Sequence, residues 1–173
     1  MRSHYFLVIL DVMRDELIQV ATALNQRLMS KGEVMASAES CTGGWIAKAM
    51  TDVPGSSGCF DRAFITYSNQ AKQEMLGVTA ETLDRSGAVS EMVVQQMVQG
   101  ALEQSNASVA VAVSGIAGPG GGTEEKPVGT VWLAWGKQGE QVITAKELFQ
   151  GDREQVRYQT TLAALQGMMK IVG

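Results

Sequence analysis

Residues 109–114, VAVAVS, carry small and β-branched apolar side chains at every position until the last. A strand with one solvated face alternates apolar and polar residues, whereas an unbroken apolar run reads as a strand covered on both faces. Such a strand is central in its sheet and needs helices above and below it. The remaining chain has to supply them, and its 19 glycines in 173 residues punctuate it into alternating element types.

Leu17, Val20, Ala21, Leu24 and Leu28 recur at intervals of three and four, the stripe of a helix that opens near Asp15 and stops before Lys31-Gly32. Residues 33–38 read as a short strand, Thr42 as the cap of a helix carrying Ile46, Ala49 and Met50, and residues 63–67 as a second strand. A short helix over 70–76 ends at Gly77. Ser90 then caps a longer helix whose apolar face is Val94, Met97, Val98, Ala101 and Leu102. Residues 130–135 and 142–149, around a Lys137-Gln138-Gly139 turn, suggest an antiparallel hairpin. Asp152 opens a last helix with Tyr158, Leu162, Leu165, Met169 and Val172 on one face. Strands alternating with helices early and pairing as a hairpin late predict an α/β fold. Its expected form is a three-layer α/β/α sandwich around a mixed, mostly parallel sheet of about five or six strands. Residues 13–173 read as one domain, and residues 1–12 as either an alternative start or an extra edge strand.

Charge and composition narrow the function. Fourteen Lys and Arg against eighteen Asp and Glu give a net charge of -4, with no run of either sign, so nucleic acid is not an expected partner. One histidine and two cysteines, Cys41 and Cys59, supply no zinc cluster, and no metal or other cofactor is expected. The apolar run at 5–10 meets Asp11, Arg14, Asp15 and Glu16 at once, too short to target or span a membrane, so the protein reads as cytoplasmic with no membrane partner.

Four segments carry candidate chemistry. Residues 38–44, AESCTGG, put Ser40 where a strand ends and a helix begins. The N–H groups and positive field of a helix start can stabilise an alkoxide, an oxyanion or a phosphate, and Gly43 and Gly44 allow close approach to the backbone. Ser40 and Thr42 as simple caps is the plainer alternative. Residues 66–72, TYSNQAK, place Lys72 in the first turn of a helix, where the dipole and burial both favour the neutral amine, with Tyr67 close by. The single histidine, His4, offers no Ser-His-Asp base, which leaves a Ser40–Lys72 pair; Cys41 competes as nucleophile. Residues 114–122, SGIAGPGGG, form either an anion cradle or a flexible connector. Arg153, in GDR, sets a planar fork at a helix start, suited to a phosphate or carboxylate.

Together AESCTGG, TYSNQAK, GAVSE at 87–91, SGIAGP, EEKPVGTVW and GDR resemble the C-terminal domain of the CinA family, from about Met13 to the end. The resemblance implies a three-layer fold and hydrolysis of the carboxamide of nicotinamide mononucleotide, giving nicotinic acid mononucleotide and ammonia in pyridine nucleotide recycling. It also implies Ser40 as nucleophile, Lys72 as base and Tyr67 in support. Thr42, Gly43, Gly44, Ser114, Gly115 and Arg153 are the expected substrate contacts. A small nucleotide substrate and a homodimer are the expected partners. The rival is a non-catalytic nucleotide-binding or regulatory module of the same family, which would bind the nucleotide without releasing ammonia.

Overall fold

The computed structural model describes residues 2–173, with side chains from Val12 onward. Helix α1 (Arg2–Lys31) leads into β1 (Met35–Glu39), α2 (Trp45–Thr51), β2 (Phe60–Ile65), α3 (Asn69–Leu76), α4 (Ala80–Ser86) and α5 (Glu91–Glu103). Strand β3 (Val109–Gly115), the hairpin of β4 (Thr130–Lys137) and β5 (Ile143–Leu148), and α6 (Arg153–Val172) complete the chain. The alternative reading of residues 1–12 as an extra edge strand gives way for residues 2–12 to α1, which begins at Arg2 rather than near Asp15, and Met1 lies outside the described residues.

The five strands are ordered β2-β1-β3-β4-β5. β2, β1 and β3 pair in parallel, while β4 runs against both β3 and β5, so the sheet is mixed as expected and β3 is its centre. Every residue of β3 is buried except Gly115, in keeping with a strand covered on both faces.

Alternation along the strands sorts side chains by size. Ala36, Ala38, Ala110, Ala112 and Ala134 meet α3, α4 and α5 on one face. Met35, Val109, Val111, Val113, Val131 and Leu133 meet α1, α2 and α6 on the other. The small alanine side chains leave room for α5 to lie against the sheet, and the bulkier side chains of the other face pack against α1, α2 and α6.

The helix starts follow local chemistry. Asp152 accepts from the Gln155 N–H at 2.9 Å while the Gln155 side chain accepts from the Asp152 N–H at 2.8 Å, a capping box that fixes where α6 begins. Ser90 caps α5 as the sequence suggests. Thr42 does not cap α2: that helix starts after Gly44, with no side chain of the cap residue bonded to it. Helix α4 escapes the sequence reading because Leu83 is its one buried residue and a single apolar position has no period.

Candidate active site

Parallel pairing of β1 with β2 and β3 brings the C-terminal ends of all three together. Ser40, just past β1, donates its N–H to Val113 O at 3.1 Å, and Thr66 beyond β2 donates to Glu39 O at 2.8 Å. Ser68 caps α3 by accepting from the Ala71 N–H at 3.0 Å, which puts Lys72 in the first turn, as expected. Its Nζ lies 3.0 Å from Ser40 Oγ and 2.8 Å from Thr66 O.

Lys72 is 1 % exposed and pairs with no carboxylate among the described residues. Burial therefore lowers its pKa from the ordinary lysine value, and the neighbouring Cys41 sulfur offsets only part of that. As an ammonium it donates to both oxygens; with one proton removed, its lone pair is free to accept the Ser40 hydroxyl proton.

Glu39 changes the expected role of the α2 start. Its fully buried carboxylate accepts from Thr42 Oγ1 at 2.7 Å, Gly44 N at 2.9 Å and Ile46 N at 3.1 Å through one oxygen, and from Ser37 Oγ at 3.0 Å and Ala47 N at 2.9 Å through the other. The helix N–H groups expected to face Ser40 are thus already taken by an internal anion, which also opposes the positive end of the dipole. Gly43 and Gly44, at φ of 60° and 99°, supply the left-handed backbone that turns this loop around the carboxylate.

Tyr67 is 63 % exposed, and its hydroxyl oxygen accepts from Arg153 at 2.9 Å. The other arm of the Arg153 fork donates to Gly118 O at 2.8 Å, so the segments around 67, 118 and 153 converge on one rim. Thr42 is buried with its hydroxyl committed to Glu39, and Ser114 is buried with its hydroxyl donating to Ala88 O at 2.8 Å. Gly115 packs where a Cβ would come within 2.5 Å of Val131. The 116–129 segment is tied back on itself by Gly129 N–H to Ile116 O at 2.8 Å and Thr123 N–H to Lys126 O at 2.9 Å, so it is not a loose connector.

Arg157 was not among the sequence candidates. It lies one helical turn beyond Arg153, and that i, i+4 spacing is the signal that could have found it. Its Nε donates to Cys41 O at 3.0 Å and one terminal nitrogen donates to Thr42 O at 2.8 Å, while the guanidinium sits 5.4 Å above the Trp45 ring. It lines a cleft of about 520 Å³ with Met13, Arg14, Leu17, Trp45 and Lys48. That cleft reaches Thr42, Gly43 and Gly44 but includes neither Ser40 nor Lys72, so the loop separates it from the Ser–Lys pair.

Local sequence leaves Ser40 and Cys41 equal as nucleophiles, and the environment separates them. Burial above all, with a smaller push from the Glu39 carboxylate, raises the Cys41 thiol to about 12 despite the opposing Arg157 and Lys72 charges. At neutral pH it is a thiol, not the reactive thiolate. Iodoacetamide at pH 8 is expected to leave Cys41 unmodified and any Ser40-dependent activity intact, checked by mass spectrometry beside a rate assay. Inactivation in step with alkylation of Cys41 would restore it as nucleophile.

Comparison with known proteins adds an independent line. The CinA C-terminal domain family model matches residues 17–172. The chain is 54% identical over 151 residues to the nicotinamide-nucleotide amidohydrolase PncC of Escherichia coli K12, covering 87% of this chain and 92% of that protein. It is 50% identical over 157 residues to the protein of the same name from Pseudomonas putida, covering 91% and 98%. Among solved structures, the competence/damage inducible protein CihA from Agrobacterium tumefaciens superimposes with a TM-score of 0.90 at 43% identity, covering 91% of this chain and 96% of that one.

Proposed function

The chain belongs to the CinA C-terminal domain family, and on that footing we propose that it hydrolyses the carboxamide of nicotinamide mononucleotide by a Ser–Lys mechanism. The observation that carries the mechanism is the 3.0 Å approach to Ser40 of a buried lysine that pairs with no carboxylate among the described residues. The substrate follows from the relatives named for that amidohydrolysis, which align with this chain over nearly their whole length.

Neutral Lys72 takes the Ser40 hydroxyl proton as Oγ attacks the amide carbon, and the carbonyl π pair moves onto oxygen. An amide is a poor electrophile, so that oxyanion needs donors waiting for it. On collapse the C–N bond breaks, and the Lys72 ammonium gives its proton to the departing nitrogen, which leaves as ammonia. The acyl-serine ester then reacts with water, whose proton passes to Lys72. The ester C–O bond then breaks, Lys72 returns that proton to Ser40 Oγ, and nicotinic acid mononucleotide is released with the Ser40 hydroxyl and neutral Lys72 restored. Arg153 and Tyr67, joined at the rim, are placed to hold the phosphate or ribose end of the nucleotide.

The test is stoichiometric formation of ammonia and nicotinic acid mononucleotide from nicotinamide mononucleotide by the purified protein. Tight binding of the nucleotide with neither product would favour the non-catalytic module instead.

The pH profile gives a second check. Because the active form carries neutral Lys72 and burial lowers its pKa, kcat/KM is expected to rise with pH and level off around a midpoint below the ordinary lysine value of 10.5. A midpoint at or above that value would remove Lys72 as the base.

A further inference from the structure

Backbone donors around Ser40 can be accounted for one by one. Ser40 N–H goes to Val113 O, Gly43 N–H to Ser40 O, Trp45 N–H to Thr42 O and Lys48 N–H to Gly44 O. Those of Gly44, Ile46 and Ala47 go to Glu39. From Ser40 to Lys48, the N–H groups of Cys41 and Thr42 alone have no acceptor in another described residue, the Cys41 N–H facing only its own sulfur. They belong to the two residues that directly follow the nucleophile, where donors for an oxyanion are needed.

Arg157 grips this same short stretch from behind. The carbonyl of Cys41, which accepts from Arg157 Nε at 3.0 Å, shares one planar peptide unit with the Thr42 N–H. Holding that oxygen fixes the direction in which the hydrogen on the far side of the plane points. A charged donor on the carbonyl also polarises the unit and strengthens the opposite N–H as a donor. The second contact, to Thr42 O at 2.8 Å, locks the next peptide, whose Gly43 N–H closes back on Ser40 O. Trp45 beneath the guanidinium holds its plane in place.

We infer that Arg157 is a positioning residue for amide hydrolysis, setting and polarising the Cys41–Thr42 peptide so that its Thr42 N–H, beside the Cys41 N–H of the preceding peptide, receives the substrate oxyanion. This rests on the Ser40 amidase reading. Arg157 lies on the cleft side of the loop, and that cleft is lined by neither Ser40 nor Lys72.

Wild type, Arg157→Lys and Arg157→Met are to be assayed with nicotinamide mononucleotide and with its thioamide analogue, with melting temperatures measured alongside. Sulfur is a weak hydrogen-bond acceptor, so the thioamide draws little on an oxyanion hole. For Arg157→Met, kcat on the amide is expected to fall about 10- to 100-fold, below the roughly 10²- to 10³-fold of deleting a donor outright, with KM nearly unchanged. On the thioamide the fall should be only a few-fold. Arg157→Lys, which keeps the charge and one donor, should recover part of the amide rate. An equal loss on amide and thioamide would show that the variant merely misplaces Ser40, and an unchanged kcat would equally overturn the inference. An inert wild type would instead overturn the amidase reading itself, and this inference with it.

Discussion

Ser40→Ala is expected to lower ammonia release from nicotinamide mononucleotide by at least about 10³-fold, because the step that cleaves an amide then has no nucleophile. Lys72→Met should do nearly the same. Methionine matches the length of the lysine stem, fills the buried site and brings no charge into it, so the fold should hold while the proton acceptor is lost. Combining the two should add little to either, since each removes the same proton-transfer unit. Separate losses that multiply in the double variant would break the pair into independent contributions, and a folded Ser40→Ala that still turns over would remove Ser40. The 3.0 Å contact makes the result sharp: among the described residues Lys72 has two oxygen partners, Ser40 Oγ and the fixed carbonyl of Thr66, so its reach toward the nucleophile is set by the backbone just past β2.

That pair was legible from sequence as two local facts and invisible as a contact. A serine at a strand end and a lysine in a first helical turn can be read from patterning over a few residues. Their meeting depends on the parallel pairing of β1 with β2, which no local period specifies. The architecture was readable for a related reason. The VAVAVS run, the hairpin and the helical stripes are each short-range periodicities, and together they admit few topologies. Arg157 lies 116 residues from the carbonyl it holds, and the docking of α6 against the sheet and α2 brings them together. Glu39 shows the limit most clearly. In AESCTGG it reads as one more polar residue beside a serine, and helix physics suggested that the α2 start would serve Ser40. Alternation along β1 instead turns Glu39 into the interior, where it consumes those donors itself.

Replacing that carboxylate should therefore produce the largest stability loss of any single change in the loop. Glu39→Ala removes the cap of α2, worth about 1 to 2 kcal/mol. It also strands buried N–H and hydroxyl donors that have no other acceptor among the described residues, at about 1 to 3 kcal/mol more. A net loss of about 3 kcal/mol should lower the melting temperature of a domain this size by roughly 6 to 12 °C. Glu39→Gln keeps the shape and one accepting oxygen but turns an NH₂ group toward donors, so it should fall between wild type and Glu39→Ala. The activity should fall further than the melting curve alone explains, because Gly43 and Gly44 turn around this carboxylate and carry the peptides next to Ser40 with them. Assays well below the melting transition of each variant separate the two effects. A Glu39→Ala protein that melts within about 2 °C of wild type would mean that water satisfies the abandoned donors and that the carboxylate does not hold the loop.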